Sequence, residues 1–356
     1  MKKTVFFLAA AATLAACSKT EVTPVISDEN SEITFNVAPR TKAVDPTHQT
    51  DFSHDNVFVS YAYYLAPGKN WDVNNADAKP YIEGSTISYD GTVWKNAATS
   101  YYWPKDGGSL TFFAYSYNKG DMAVGDNSGF TCVWEKGEDG TFQGGINGHF
   151  DVATNKNVDF LVADIAKDKT ANEHIYDHSG VPTLFRHRLS MVNVNAKLAD
   201  AYPNKKFTIN SIKFLSLCHY ATYNQIPEAI KPGASYDPND QIYAENAGFE
   251  VKSGEFQAVA PVIKGGKDEE GQYIYIPQVF GDGSYLEIKY TVETTVGSSV
   301  VKEECTEKVL LKDIFSEWEM GHKYTINITF SLNEIHWDPA VENWIDVDAG
   351  SITIDK

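Results

Sequence analysis

From Thr183 to Leu198 the chain reads TLFRHRLSMVNVNAKL, and apolar residues fall at every second position. Phe185, His187, Leu189 and Met191 alternate with Arg186, Arg188 and Ser190. That is the period of a β-strand with one buried face; a helix would scatter the same residues around its whole surface. From Val192 the parity changes, and Val192, Val194, Ala196 and Leu198 alternate with Asn193, Asn195 and Lys197. A slip of one residue turns a strand's side chains to the opposite face, so the stretch predicts one strand with a bulge near Met191.

The same period recurs along the chain. Leu286, Ile288, Tyr290 and Val292 alternate with Glu287, Lys289 and Thr291, and the partner runs from Val300 to Leu311 across Gly297-Ser298-Ser299. Tyr324, Ile326, Ile328 and Phe330 form another strand behind a turn at Gly321, with Trp318 and Tyr324 expected in the core at its entrance. Upstream, Val57, Val59, Tyr61 and Tyr63 alternate, and Asp90-Gly91 marks a hairpin ahead of Val93 and Trp94. Phe112 and Ala114 face one way and Phe113 and Tyr115 the other, the mark of a central strand buried on both sides. Val158 to Ala163 closes the first half; Phe207–Ile209, Ile212–Leu217 and Tyr273–Ile276 are further short strands. Asp121 to Asn157, rich in Gly, Asp and Asn, and Thr222 to Gly271, with Pro227, Pro232 and Pro238, are expected as loops. Asp338 before Pro339 is expected as a turn. No long amphipathic helix is present. The fold class is therefore all-β: two tandem β-sandwich domains, at roughly 32–180 and 181–356.

Composition agrees and narrows the function. Tyr at 20 and Phe at 19 against Met at 4 favour strands. A net charge of −18, more negative still without Lys2 and Lys3, argues against nucleic acid or anionic lipid held by basic patches. The four cysteines include no C-x-x-C, and Cys132, Cys218 and Cys305 read as small buried residues rather than a disulfide frame or zinc site. There is no G-x-S-x-G, H-E-x-x-H or Gly-rich phosphate loop, so no catalytic residue, cofactor or metal is expected. His174, Asp177 and His178 are metal-ligand types in a polar loop, where such clusters are usually solvated; His187 reads as a hydrogen-bonded core histidine.

The two ends carry more information. Lys2 and Lys3, an apolar run from Val5 to Leu14, and Leu14-Ala15-Ala16-Cys17 read as a signal peptide ending in a bacterial lipobox. Residues 1–17 are the leader, Cys17 takes the lipid, and several acyl chains make such anchoring stable. Ser18 after the Cys resembles outer-membrane sorting. Residues 18–31 form a polar tether. Ile33, Phe35 and Val37 make a short strand that Pro39 stops, leaving Arg40 in an extended, exposed segment. At the other end Ile345, Val347, Ile352 and Ile354 have strand spacing.

Three motifs carry a family resemblance. They are F-x-H-x-L-S followed by V-x-V at Phe185–Val194, YYWP with LTFFAY at Tyr101–Tyr115 supported by Val158–Ala163, and W-x-x-G-x-x-Y with I-x-I-x-F at Trp318–Phe330. Together they resemble the fimbrillin-like proteins of the Bacteroidales, from the lipobox to Trp344. The resemblance implies a transthyretin-like topology and a structural role as a fimbrial subunit or accessory lipoprotein in adhesion, not an enzyme. It also implies that an Arg-specific protease cuts between Arg40 and Thr41, that the strand Ile33–Val37 is displaced, and that a neighbouring subunit's strand fills the groove. Ile345, Val347, Ile352 and Ile354 are the candidate donor. The partners so implied are other fimbrial subunits, the outer membrane through the lipid, and host or bacterial surface glycans or proteins. A monomeric surface lipoprotein that binds glycan through exposed aromatic rings is the alternative.

Overall fold

The computed structural model describes residues 31–37, 52–117, 131–136, 142–152, 158–171, 174–175, 178–226, 228–232, 241–254, 257–258, 272–332 and 335–343. In chain order the first strands are β1 (Thr34–Val37), β2 (Val57–Leu65), β3 (Lys79–Tyr89), β4 (Trp94–Asn96), β5 (Ser109–Tyr117), β6 (Thr131–Lys136), β7 (Phe142–Asp151), β8 (Phe160–Ala163) and β9 (Ala166–Lys169). Then come β10 (His174–Ile175), β11 (His178–Ser179), β12 (Val181–Thr183), β13 (Phe185–His187), β14 (Ser190–Leu198), β15 (Lys205–Leu215), β16 (Tyr220–Ile226), β17 (Glu228–Pro232) and β18 (Gln241–Val251). The last are β19 (Gln257–Ala258), β20 (Gln272–Tyr275), β21 (Gln278–Val279), β22 (Tyr285–Val296), β23 (Ser299–Leu310), β24 (Glu317–Trp318), β25 (His322–Phe330) and β26 (Ile335–Asn343). Among the described residues the helices are short pieces, α1 (Trp71–Asn74) and α2 (Leu311–Ile314), besides a 3-10 turn at Asn75–Asp77. The chain is all-β.

The first sheet has the order β12-β1-β4-β3-β2-β5-β8-β13, with β9 added on β5. Its two end strands are separated in sequence by Leu184 alone, so the sheet curls until its ends meet. Inside the curl lie Phe35, Phe58, Phe112, Ala114, Leu161 and Phe185. The outer face of β2, β5 and β8 is apolar too, and carries Val59, Tyr63, Phe113, Tyr115, Phe160 and Val162. β5 thus buries both faces, as its sequence requires.

A second sheet, β17-β16-β7-β6, covers that outer face through Ile146, Ala221 and Tyr223. Its strands come from the two regions expected as loops. The expectation failed because neither segment alternates cleanly: β7 reads FQGGINGHFD, and β16 and β7 find each other only in space, with Tyr223 opposite Gly148. The close approach needs Gly145, whose φ of +83° is strained for other residues and whose Cβ would stand 2.9 Å from Gln225 Oε1. Gln225 is itself buried; it accepts from Ile146 N–H at 2.9 Å and donates to the Ala163 carbonyl at 3.0 Å, joining the covering sheet to β8. β18, from the same Pro-rich region, pairs along β15.

Of the remaining strands, β10 pairs with β11 and β21 with β24, and the others form a sandwich. One sheet has the order β19-β14-β25-β26, with β20 also on β14, and the other β18-β15-β22-β23. β14 and β25 run parallel, with Val192 opposite Tyr324, Val194 opposite Ile326, Ala196 opposite Ile328 and Leu198 opposite Phe330. Those side chains meet Phe207, Ile209, Phe214, Leu286 and Ile288 of the facing sheet. β22 and β23 form the expected hairpin, Val296 pairing with Ser299. Trp318 and Tyr324 are both in this core; Trp318 stacks on Tyr275 at 5.0 Å, and the Tyr324 hydroxyl accepts from Glu319 N–H at 2.7 Å.

The stretch Thr183–Leu198 is not one bulged strand. It breaks at Arg188-Leu189 and passes between sheets. Phe185 enters the curled core, Leu189 and Met191 the core under the covering sheet, and Val192 to Leu198 the sandwich core. The parity change at Met191 is where the chain moves from one core to the next. Asp338-Pro339 is likewise not a turn: both lie in β26, where Pro339 sits opposite Ile326. β26 ends its sheet, and a strand at a sheet edge tolerates a proline that cannot donate.

Candidate functional site

β1 is four residues long, yet it is held on both sides. Phe35, Asn36 and Val37 pair in parallel with Val181, Pro182 and Thr183 of β12. On the other side Thr34 and Phe35 pair antiparallel with Lys95 and Trp94 of β4. Just upstream, Ile33 N–H donates to the Tyr101 carbonyl at 2.7 Å, and the Ser31 carbonyl accepts from Trp103 N–H at 3.2 Å. Neither neighbour is close in sequence, so β1 lies in a slot formed by other parts of the chain.

The alternation read from the sequence sets what β1 buries. Ile33 and Phe35 are 2 % and 4 % exposed, Thr34 and Asn36 are half-buried, and Val37 is half-buried at the end of the strand. The Phe35 ring meets Phe58 and Phe112 edge-on, with centroids 5.4 and 5.7 Å away. Phe52, where the chain re-enters the described residues, stacks on Phe185 at 4.7 Å and packs edge-on against Phe58 and Trp94. Both ends of the intervening segment are thus anchored in one aromatic core. Without β1 two strand edges, those of β4 and β12, would face each other across about 10 Å, the width of one missing strand. Phe58, Phe112 and Trp94 would line that gap.

The junction of residues 180 and 181 falls at this slot: Gly180 lies against β1 and β12 pairs with it. Sequence reasoning missed Gly180, for which no local pattern gives a signal. Arg40 and Thr41 belong to the segment between β1 and Phe52 and lie outside the described residues. So do Cys17 and the candidate donor residues Ile345, Val347, Ile352 and Ile354.

The other candidates resolve as follows. His187 is buried, with Nδ1 2.6 Å from Asp159 Oδ2, a polar pair inside the core. His174 and His178 sit on the β10–β11 hairpin, and Asp177 lies outside the described residues. Among the described residues no group of three or more His, Cys, Asp or Glu side chains is placed to hold a metal ion. Cys132, Cys218 and Cys305 form no disulfide among the described residues; burial pushes the Cys132 thiol up to about 12. Most described aromatic rings lie in or against the three cores, and Tyr102 and Tyr220 are the large exposed ones among them.

Comparison with known proteins gives the same direction. The chain is similar to the fimbrium subunit Fim1C of Phocaeicola vulgatus, 22 % identical over 388 aligned residues and covering 99 % of each chain. Its fold is similar to the crystal structure of a fimbrial protein from Bacteroides vulgatus, with a TM-score of 0.61 at 18 % identity over 88 % of this chain and 99 % of that one. A family model described as fimbrillin-like matches residues 41–344, which leaves β1 outside the matched span. Since that match takes in most of the sequence, the chain belongs to the fimbrillin-like family.

Proposed function

We propose that the protein is a structural subunit or accessory lipoprotein of a cell-surface fimbrium, used in adhesion and assembled by strand exchange. The observation that carries this reading is β1 itself: a short strand seated in a slot between β4 and β12, its Ile33 and Phe35 filling a core that the rest of the chain builds. In this reading Cys17 carries the lipid that holds the precursor at the outer membrane. A protease then cuts between Arg40 and Thr41. Ile33, Phe35 and Val37 leave with the tether, and the slot accepts a strand from a neighbouring subunit, whose Ile345, Val347, Ile352 and Ile354 supply alternating apolar side chains. Main-chain hydrogen bonds along β4 and β12 give affinity, and the pockets of Ile33 and Phe35 give register. Fimbrial subunits are then the partners, and surface glycans or proteins the targets of adhesion. The relative named as a fimbrium subunit supports the same role.

N-terminal sequencing of the protein recovered from cells tests the processing step. A mature chain beginning at Thr41 is expected. A blocked chain beginning at a lipidated Cys17, in assembled fimbriae, would overturn it.

A further inference from the structure

Strand exchange needs a slot that accepts main chain at close range, and β1 is approached closely by Gly180, the residue just ahead of β12. Gly180 has a φ of +119°, in the left-handed half of the map. A Cβ built on it would stand 3.0 Å from the Phe35 carbonyl carbon, 3.1 Å from Asn36 N and 3.1 Å from the Thr34 carbonyl oxygen. All three are main-chain atoms, so no rotamer change relieves the contact; the main chain of β1 or of Gly180 would have to shift by a few tenths of an ångström, on top of the strain of a side chain at this φ. Phe35 is also the residue of β1 paired on both sides, with Val181 and with Trp94. A shift at this point strains both ladders together.

We infer that Gly180 seats the strand in the slot: its missing side chain admits the main chain of an extended strand at the Phe35–Asn36 position. The inference rests on the strand-exchange reading for its functional meaning. It narrows the class of partner to an extended peptide segment with apolar residues at positions i and i+2, matching Ile33 and Phe35, whose main chain passes close beside Gly180. Because the contact is made only to main-chain atoms, Gly180 does not select side chains. It selects extended backbone over a helical or turned segment, and the pockets around Phe58 and Phe112 select the apolar pair.

Hydrogen–deuterium exchange on the full, uncut chain tests this without requiring any cleavage. Gly180→Ala should speed exchange of the Phe35 to Val37 amides by about tenfold or more while β2 and β5 keep their protection. Gly68→Ala is the control, since Gly68 has a φ of +81° but nothing within 4 Å of its added Cβ. It should leave β1 protection unchanged. Unchanged protection of β1 in Gly180→Ala overturns the inference. So does an equal loss across the first sheet or a failure to fold, which would make Gly180 a general stability residue. If β1 is released selectively and yet the chain is never cut or assembled in cells, Gly180 stands as the seat of β1 and the strand-exchange reading alone fails.

Discussion

Phe35 and Phe58 meet edge-on with centroids 5.4 Å apart, although one belongs to a four-residue strand near the start of the described chain and the other to a central strand of the sheet. Edge-to-face aromatic pairs add to area burial, and here Phe112 extends the cluster from the next strand. A Phe35→Ala variant should lose about 3–5 kcal/mol, the usual cost of emptying a buried phenylalanine site. Urea unfolding of the intact chain measures it. An unchanged midpoint would show that β1 contributes nothing to the core it lies in.

The sandwich core makes a similar demand at Tyr324. Tyr324→Ala should cost roughly 3–5 kcal/mol through lost packing against Phe315 and Trp318. Tyr324→Phe should cost only about 1 kcal/mol, the net worth of the hydrogen bond its hydroxyl accepts from Glu319 N–H. Equal stability of the alanine variant and the parent would contradict the placement.

Stability should fall in alkali. Burial holds the Tyr275 hydroxyl well above the usual tyrosine range and raises Tyr63 and Tyr223 as well. It also pushes the Cys132 thiol up to about 12. The unfolded chain sheds these protons from about pH 9 to 10, while the folded chain keeps them. Folding therefore binds protons in that range, and stability, full below about pH 9, declines as pH rises through the folded values. Denaturant midpoints at successive pH values from 8 to 12 read this directly; a flat profile would mean these groups ionise without unfolding the protein.

What the sequence made legible was alternation, wherever neighbouring residues differ sharply in polarity. Leu286 to Val292 and Tyr324 to Phe330 reach the core face as expected because each is an uninterrupted apolar–polar series. β7 and β16 were not legible. Glycines and asparagines blur their period, and they are held by each other and by Gln225 rather than by local preference. The bulge expected near Met191 rested on treating one stretch as one strand, whereas Leu189, Met191 and Val192 serve two cores in succession. At the candidate site the strand Ile33–Val37 was legible but its place was not. Its parallel partner β12 is remote in sequence, and such pairings leave no local pattern.

The proposed lipid anchor is tested at Cys17. Cys17→Ala should abolish acyl labelling and release the protein from the membrane fraction, because several acyl chains, not one, make the attachment stable. Labelling that survives the substitution would remove the lipoprotein reading.

Assembly is tested most directly by size-exclusion chromatography with light scattering, before and after Arg-specific proteolysis. The uncut chain should elute as a monomer. After cleavage at Arg40, residues 17–40 should separate from the remainder, and that remainder should form larger assemblies that weaken when Gly350 to Lys356 is deleted. A cut protein that stays monomeric with residues 17–40 still bound would contradict strand exchange.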